Sequence, residues 1–119
     1  MRTILGIATA LALSLSAASA FAHAALQRAV PAVGSEVSGS PRQVQLWFSE
    51  ALEPALSKAL VKDGAGKIVN ADQSAVADDD RRRIDVPVAP LPPGTYRVEW
   101  SVVSVDGHKT SGNFAFTVK

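Results

Sequence analysis

The chain has 119 residues, with 12 basic and 11 acidic side chains, two histidines, one methionine and no cysteine. So small a net charge gives no footing for a nucleic-acid or anionic-membrane partner. The missing cysteines exclude disulfides, thiolate metal sites, zinc fingers and cysteine nucleophiles.

The first 22 residues do not read as part of a fold. Arg2 is their only charged side chain, Ile4 to Ser16 form a short and mostly apolar run, and Ala20-Phe21-Ala22 is the small-x-small pattern that precedes a cleaved bond. A retained membrane anchor is the alternative, but it needs about 20 strongly apolar residues, and Ser14, Ser16 and Ser19 dilute this run before that length is reached. The expectation is therefore a cleaved signal peptide, residues 1–22, followed by an exported domain, residues 23–119, with no membrane insertion after cleavage. Cleavage removes Arg2 and Met1, leaving 97 residues that carry eleven basic and eleven acidic side chains. That length suits one small domain with a single core, here unaided by disulfides. A monomer is expected.

From His23 onward the punctuation is that of an all-β protein. Short alternating or apolar runs, roughly Ala25–Val30, Val44–Ser49, Ala59–Lys62, Lys67–Asn70, Arg81–Val86, Thr95–Val105 and Gly112–Val118, lie between clusters of Gly, Pro, Ser and Asp. No window of helical length carries apolar residues at i, i+3, i+4 and i+7 without an interrupting Pro or Gly. About seven short strands in fewer than a hundred residues predict a Greek-key sandwich or barrel of the immunoglobulin-like kind.

Along the chain, Val44, Leu46 and Phe48 share one strand face and Gln45, Trp47 and Ser49 the other. Trp47 thus covers an edge of the core or stands near a surface site. Glu50 and Glu53 have no obvious acid/base partner, although Glu50 is the harder of the two to dismiss. Lys62 to Lys67 holds paired glycines without the spacing or following helix of a phosphate loop, so it reads as a turn. Asp78-Asp79-Asp80-Arg81-Arg82-Arg83 reads as a solvated hairpin turn with compensating charges. Leu91-Pro92-Pro93-Gly94-Thr95-Tyr96 resembles the tyrosine corner of immunoglobulin-like sandwiches. No G-x-S-x-G elbow accompanies the many serines, which speaks against nucleophilic catalysis.

The chemistry concentrates in Ser104-Val105-Asp106-Gly107-His108 and in His23. In an extended segment, Asp106 and His108, two apart, would point to one face. Asp-Gly is also a common turn pair, and a turn is its ordinary meaning. The second histidine, however, stands directly behind the expected cleavage site, where processing would free an α-amine next to its ring. His23, Asp106 and His108 would then supply three nitrogens and one oxygen, a set suited to Cu(II); with Met1 gone, no thioether favours Cu(I).

Several motifs, in order, resemble the CopC family of periplasmic copper-binding proteins. They are His23-Ala24-Ala25-Leu26, Val30 to Ser35, Val44 to Glu50, Leu91 to Trp100, Val102 to His108 and Thr110 to Val118. The resemblance covers essentially the whole of residues 23–119. It implies a Greek-key β-barrel of seven to nine strands, often described as cupredoxin-like, that binds one Cu(II) near one end. His23 would ligate through amine and imidazole, Asp106 and His108 would complete the set, and Glu50, which matches the family's acidic residue near that site, is read as orienting His23 rather than as a firm ligand. The methionine-rich Cu(I) site of some members has no counterpart here.

A filled tetragonal plane favours copper buffering, resistance or delivery over turnover, so no enzyme activity is expected. The resemblance implies an inner-membrane copper transporter of the CopD type as partner. Two other classes compete. An N-terminal histidine beside a second one resembles the histidine brace of copper oxygenases, although Asp106 would compete for the position that oxygen needs. The remaining class is a metal-free immunoglobulin-like interaction module.

Overall fold

Period-two alternation sets the architecture. The structure, a computed structural model, describes residues 23–119; the expected signal peptide lies outside the described residues. In chain order the strands are β1 (Leu26–Val30), β2 (Glu36–Val37), β3 (Gln43–Phe48), β4 (Lys58–Lys62), β5 (Ala75–Val76), β6 (Arg83–Pro87), β7 (Gly94–Val103) and β8 (Lys109–Val118). A single 3-10 turn, Pro54–Leu56, precedes β4. The strands form two four-stranded sheets, ordered β1-β3-β6-β5 and β2-β8-β7-β4. The all-β expectation holds, in the form of a two-sheet sandwich rather than a closed barrel.

One face of each sheet is buried against the other. Val44, Leu46 and Phe48 of β3 are buried, as are Ile84 and Val86 of β6, Ala59 and Val61 of β4, Tyr96, Val98 and Val102 of β7, and Phe114, Phe116 and Val118 of β8. Each full burial of such a side chain contributes about 1.5–3 kcal/mol relative to exposure. The Tyr96 hydroxyl donates to the Pro92 carbonyl at 2.5 Å, and its ring stacks on Phe116 with centroids 5.7 Å apart. The tyrosine corner is therefore present. Trp47 stands on the outer face of its sheet, where the Arg28 guanidinium lies 4.6 Å from the ring centre.

Three expected elements take other forms. The run 67–70 is not a ladder strand; only isolated bridges, Lys62 to Ile68 and Asn70 to Val88, mark it. Backbone and side chains share the pairing there, with Val69 N donating to Val61 O at 2.8 Å. Asn70 Oδ1 accepts from Val61 N at 2.8 Å, Asn70 Nδ2 donates to Ala59 O at 3.3 Å, and Ser74 Oγ accepts from Ala59 N at 2.9 Å. The free edge of β4 is thereby covered. The expected strand 95–105 ends at Val103 because the chain turns from Ser104, whereas β8 starts earlier than expected, at Lys109. The charge run is a turn, with Asp80 Oδ1 accepting from Arg82 N at 3.0 Å. Arg83 is not merely solvated, since it opens β6 and donates to both Asp79 and Asp85 at 2.8 Å.

Trp100 faces inward on β7 opposite Gly112 of β8, and its ring meets Phe48 edge-on at 5.1 Å. A Cβ on residue 112 would stand 2.5 Å from Trp100 Cζ2. Glycine is required here by space. Gly112→Ala is expected to lower stability by about 1–3 kcal/mol, the usual penalty of forcing a packed core apart, as read from chemical denaturation; an unchanged midpoint would show that the indole moves aside freely.

Asp85 offers a second check. Burial pushes its carboxyl up, but hydrogen bonds from Arg83 and Gln45 outweigh that and hold it below its usual value. A depressed folded pKa stabilises fully above the unfolded value of about 3.9 and is lost as pH falls through the folded one. Asp85→Asn should therefore flatten the acid limb of the stability curve below that value and leave its slope at neutral pH unchanged, as followed by urea unfolding at stepped pH.

Candidate metal centre

The β7–β8 hairpin closes through residues 104–108. Ser104 N donates to His108 O at 3.0 Å and Gly107 N donates to Ser104 O at 2.8 Å. Gly107 has φ +90°, in the left-handed region that glycine enters at little cost. This turn, rather than an extended segment, brings Asp106 and His108 together. The imidazole Nδ1 lies 3.1 Å from Asp106 Oδ2. The outcome agrees with the expectation, but the geometric route differs.

Asp106 is held on its other oxygen as well. Oδ1 accepts a short hydrogen bond from the Ser104 hydroxyl and a longer one, 3.3 Å, from His108 N. Ser104 itself is 1% exposed and bridges to Leu52, so it is a rigid donor. Its hydrogen bond draws the Asp106 carboxyl below the ordinary range; burial opposes this, and donation from His108 adds to the lowering. The carboxylate is thus ionised throughout the neutral range.

His23 reaches the same place from the opposite sheet. Its ring stands edge-on to that of His108, with centroids 5.3 Å apart. The segment carrying it runs just before β1, and Ala24 is buried in the core. Ser49, immediately after β3, donates from Oγ to His23 O at 3.0 Å and accepts from Ala25 N at 2.9 Å. Thr110 Oγ1 donates to Ala24 O at 2.8 Å. Glu50 follows Ser49 and is half-buried.

The structure therefore gathers His23, Asp106 and His108 at one end of the sandwich, and Glu50 follows Ser49, whose hydroxyl holds the His23 carbonyl. Among the described residues, no three His, Cys, Asp or Glu side chains are already grouped as a metal cage. The Asp106–His108 pair is nevertheless well spaced for one. Two donors about 2.0 Å from an ion and at right angles stand about 2.8 Å apart, close to the 3.1 Å seen here. Both side chains are partly open, 39% exposed for His108 and 43% for Asp106. Ser49 and Thr110 carry no signal of their own in composition or spacing, and the role of Ser104 within its stretch is likewise revealed only by its hydrogen bonds.

The model of the CopC domain matches residues 26–119. The chain belongs to the CopC family. It is 39% identical over 107 residues to protein YobA of Escherichia coli K12, a match covering 89% of this chain and 86% of that one. Among solved structures, CopC from Methylosinus trichosporium OB3b superposes with a TM-score of 0.76 at 34% identity, covering 82% of this chain and 94% of that one. PcoC, a methionine-rich copper resistance protein from Escherichia coli, gives 0.72 at 38% identity, covering 82% of this chain and all of that one. Membership assigns the chain to a copper-resistance family. No helix among the described residues is long and apolar enough to cross a membrane.

Ser104→Ala should let the Asp106 carboxyl rise toward the ordinary value of about 3.9. Carboxyl-carbon NMR of the metal-free protein reads this directly, and an unmoved titration would show that Ser104 is not its principal donor.

Proposed function

We propose that this CopC-family protein binds one Cu(II) per chain in the periplasm, after cleavage between Ala22 and His23, and buffers copper or passes it to a membrane transporter of the CopD type. What carries the reading is the meeting of the two histidines across the two sheets, with Asp106 at 3.1 Å from one of them. His23 would contribute its freed amine and imidazole, His108 an imidazole and Asp106 an oxygen. Nitrogen and oxygen donors in a tetragonal plane are the environment Cu(II) prefers, and Cu(II) heads the affinity order among divalent first-row ions. Glu50 would orient His23. Residues 23–119 contain no methionine, which supports a Cu(II) site without a thioether Cu(I) partner.

With the plane filled by protein donors, no strong position remains for a substrate, and the protein acts as a carrier rather than an enzyme. Each nitrogen donor must be unprotonated to bind. Since the free amine has an ordinary pKa of about 7.7–8.0 and imidazole about 6.5, affinity should fall as pH drops through that range. Acidification would then release the ion.

His23→Ala, Asp106→Ala and His108→Ala should each weaken Cu(II) binding by more than the roughly 10-fold to 100-fold typical of lost outer-sphere partners, with the fold intact. Competition titration of the processed protein, its N-terminus confirmed by intact mass, measures this. Extending the chain by one residue before His23 should harm binding too. Wild-type affinity in all three variants would sink the assignment, and a wild-type protein without a stoichiometric site would leave a metal-free module.

A further inference from the structure

The segment bearing His23 belongs to no strand, yet it is tied down at each of its first three residues. Ser49 Oγ holds His23 O and Ala25 N, Ser49 N donates to Ala25 O at 2.9 Å, and Thr110 Oγ1 holds Ala24 O. Ser49 follows β3 in one sheet. Thr110 belongs to β8 in the other, two residues beyond His108, so one hydroxyl fixes the segment to each sheet.

The consequence for His23 is geometric. Because the peptide unit is planar, fixing the carbonyls of His23 and Ala24 fixes the plane between them and with it the Cα of His23. Only rotation about its Cα–C bond and its side-chain torsions then remain. Thr110 shares the inward-facing register of Gly112, Phe114 and Phe116, and lies opposite the buried Val102. A valine of the same shape would serve packing as well or better. The hydroxyl is used on the Ala24 carbonyl instead.

We propose that Ser49 and Thr110 are positioning residues for the metal centre: together they clamp the His23 segment so that its amine and imidazole face His108 at a separation one Cu(II) ion can span. The clamp rests on the reading that His23 is a ligand. It acts by preorganisation, since a ligand already held in place loses less freedom when the ion binds.

The test uses the exported, processed protein with Cu(II) as the only added ligand, and compares wild type with Thr110→Val, Ser49→Ala, the double variant and Thr110→Ser. Competition titration should show the double variant weakened roughly 10-fold to 100-fold, as for outer groups that orient ligands. EPR of the copper-loaded variants should show an altered parallel hyperfine splitting, and Thr110→Ser should restore both wild-type values. Thermal unfolding of the metal-free variants separates this from loss of fold. Should Thr110→Val unfold, Ser49→Ala, whose bonds are exposed, carries the same test alone. Affinity within about two-fold of wild type, with an unchanged spectrum, in the folded variants would overturn the clamp. A wild-type protein that binds no copper would overturn the proposed function itself, and the two failures are distinct.

Discussion

The antiparallel pairing of β7 with β8, from Gly94 opposite Val118 to Val103 opposite Lys109, is the constraint on which the rest of the molecule depends. Its register turns Tyr96, Val98 and Val102 of β7 inward together with Phe114 and Phe116 of β8, and slipping either strand by one residue would turn that strand's set outward. The same register fixes where the hairpin turns. Asp106, Gly107 and His108 therefore sit at one end of the sandwich as a consequence of core packing. The turn is steadied further by Val105 N donating to Ala51 O at 3.0 Å.

At that end, chemistry and fold share components. Ser104 closes the turn through its backbone and fixes the Asp106 carboxylate through its hydroxyl. The buried Ala24 anchors the chain that presents His23. No ladder strand carries a site residue into position alone. Each is delivered by a short irregular segment, and rigid sheet supplies the hydrogen bonds that hold it.

Much of this was legible in the sequence because it follows from alternation or from local turn chemistry. The inward set Val44, Leu46 and Phe48, the Tyr96 corner, and the turn at Asp63, whose Oδ1 accepts from both Ala65 and Lys67, are of that kind. Strands β2 and β5, two residues each, are too short to show a period, and they exist because a neighbour offers an edge. The run 67–70 has the composition of a strand, but Asn70 satisfies the adjacent edge with its side chain, so no ladder develops. The near-contact of Asp106 and His108 was expected from extended geometry and is produced by a glycine turn. Ser49 and Thr110 were invisible as site residues because their partners are backbone atoms 24 to 86 positions away in the chain.

The cover over β4 has a bearing on solubility. An open sheet edge is a template on which another chain can add a strand. Here the edge amides of Ala59 and Val61 are occupied by Ser74 and Asn70 rather than by a neighbouring ladder. Protection against edge-to-edge association thus rests on an irregular segment, through Ser74, Asn70 and the Val69 amide that donates to Val61 O. The segment that shields this edge is thus a different one from those that carry His23, Asp106 and His108.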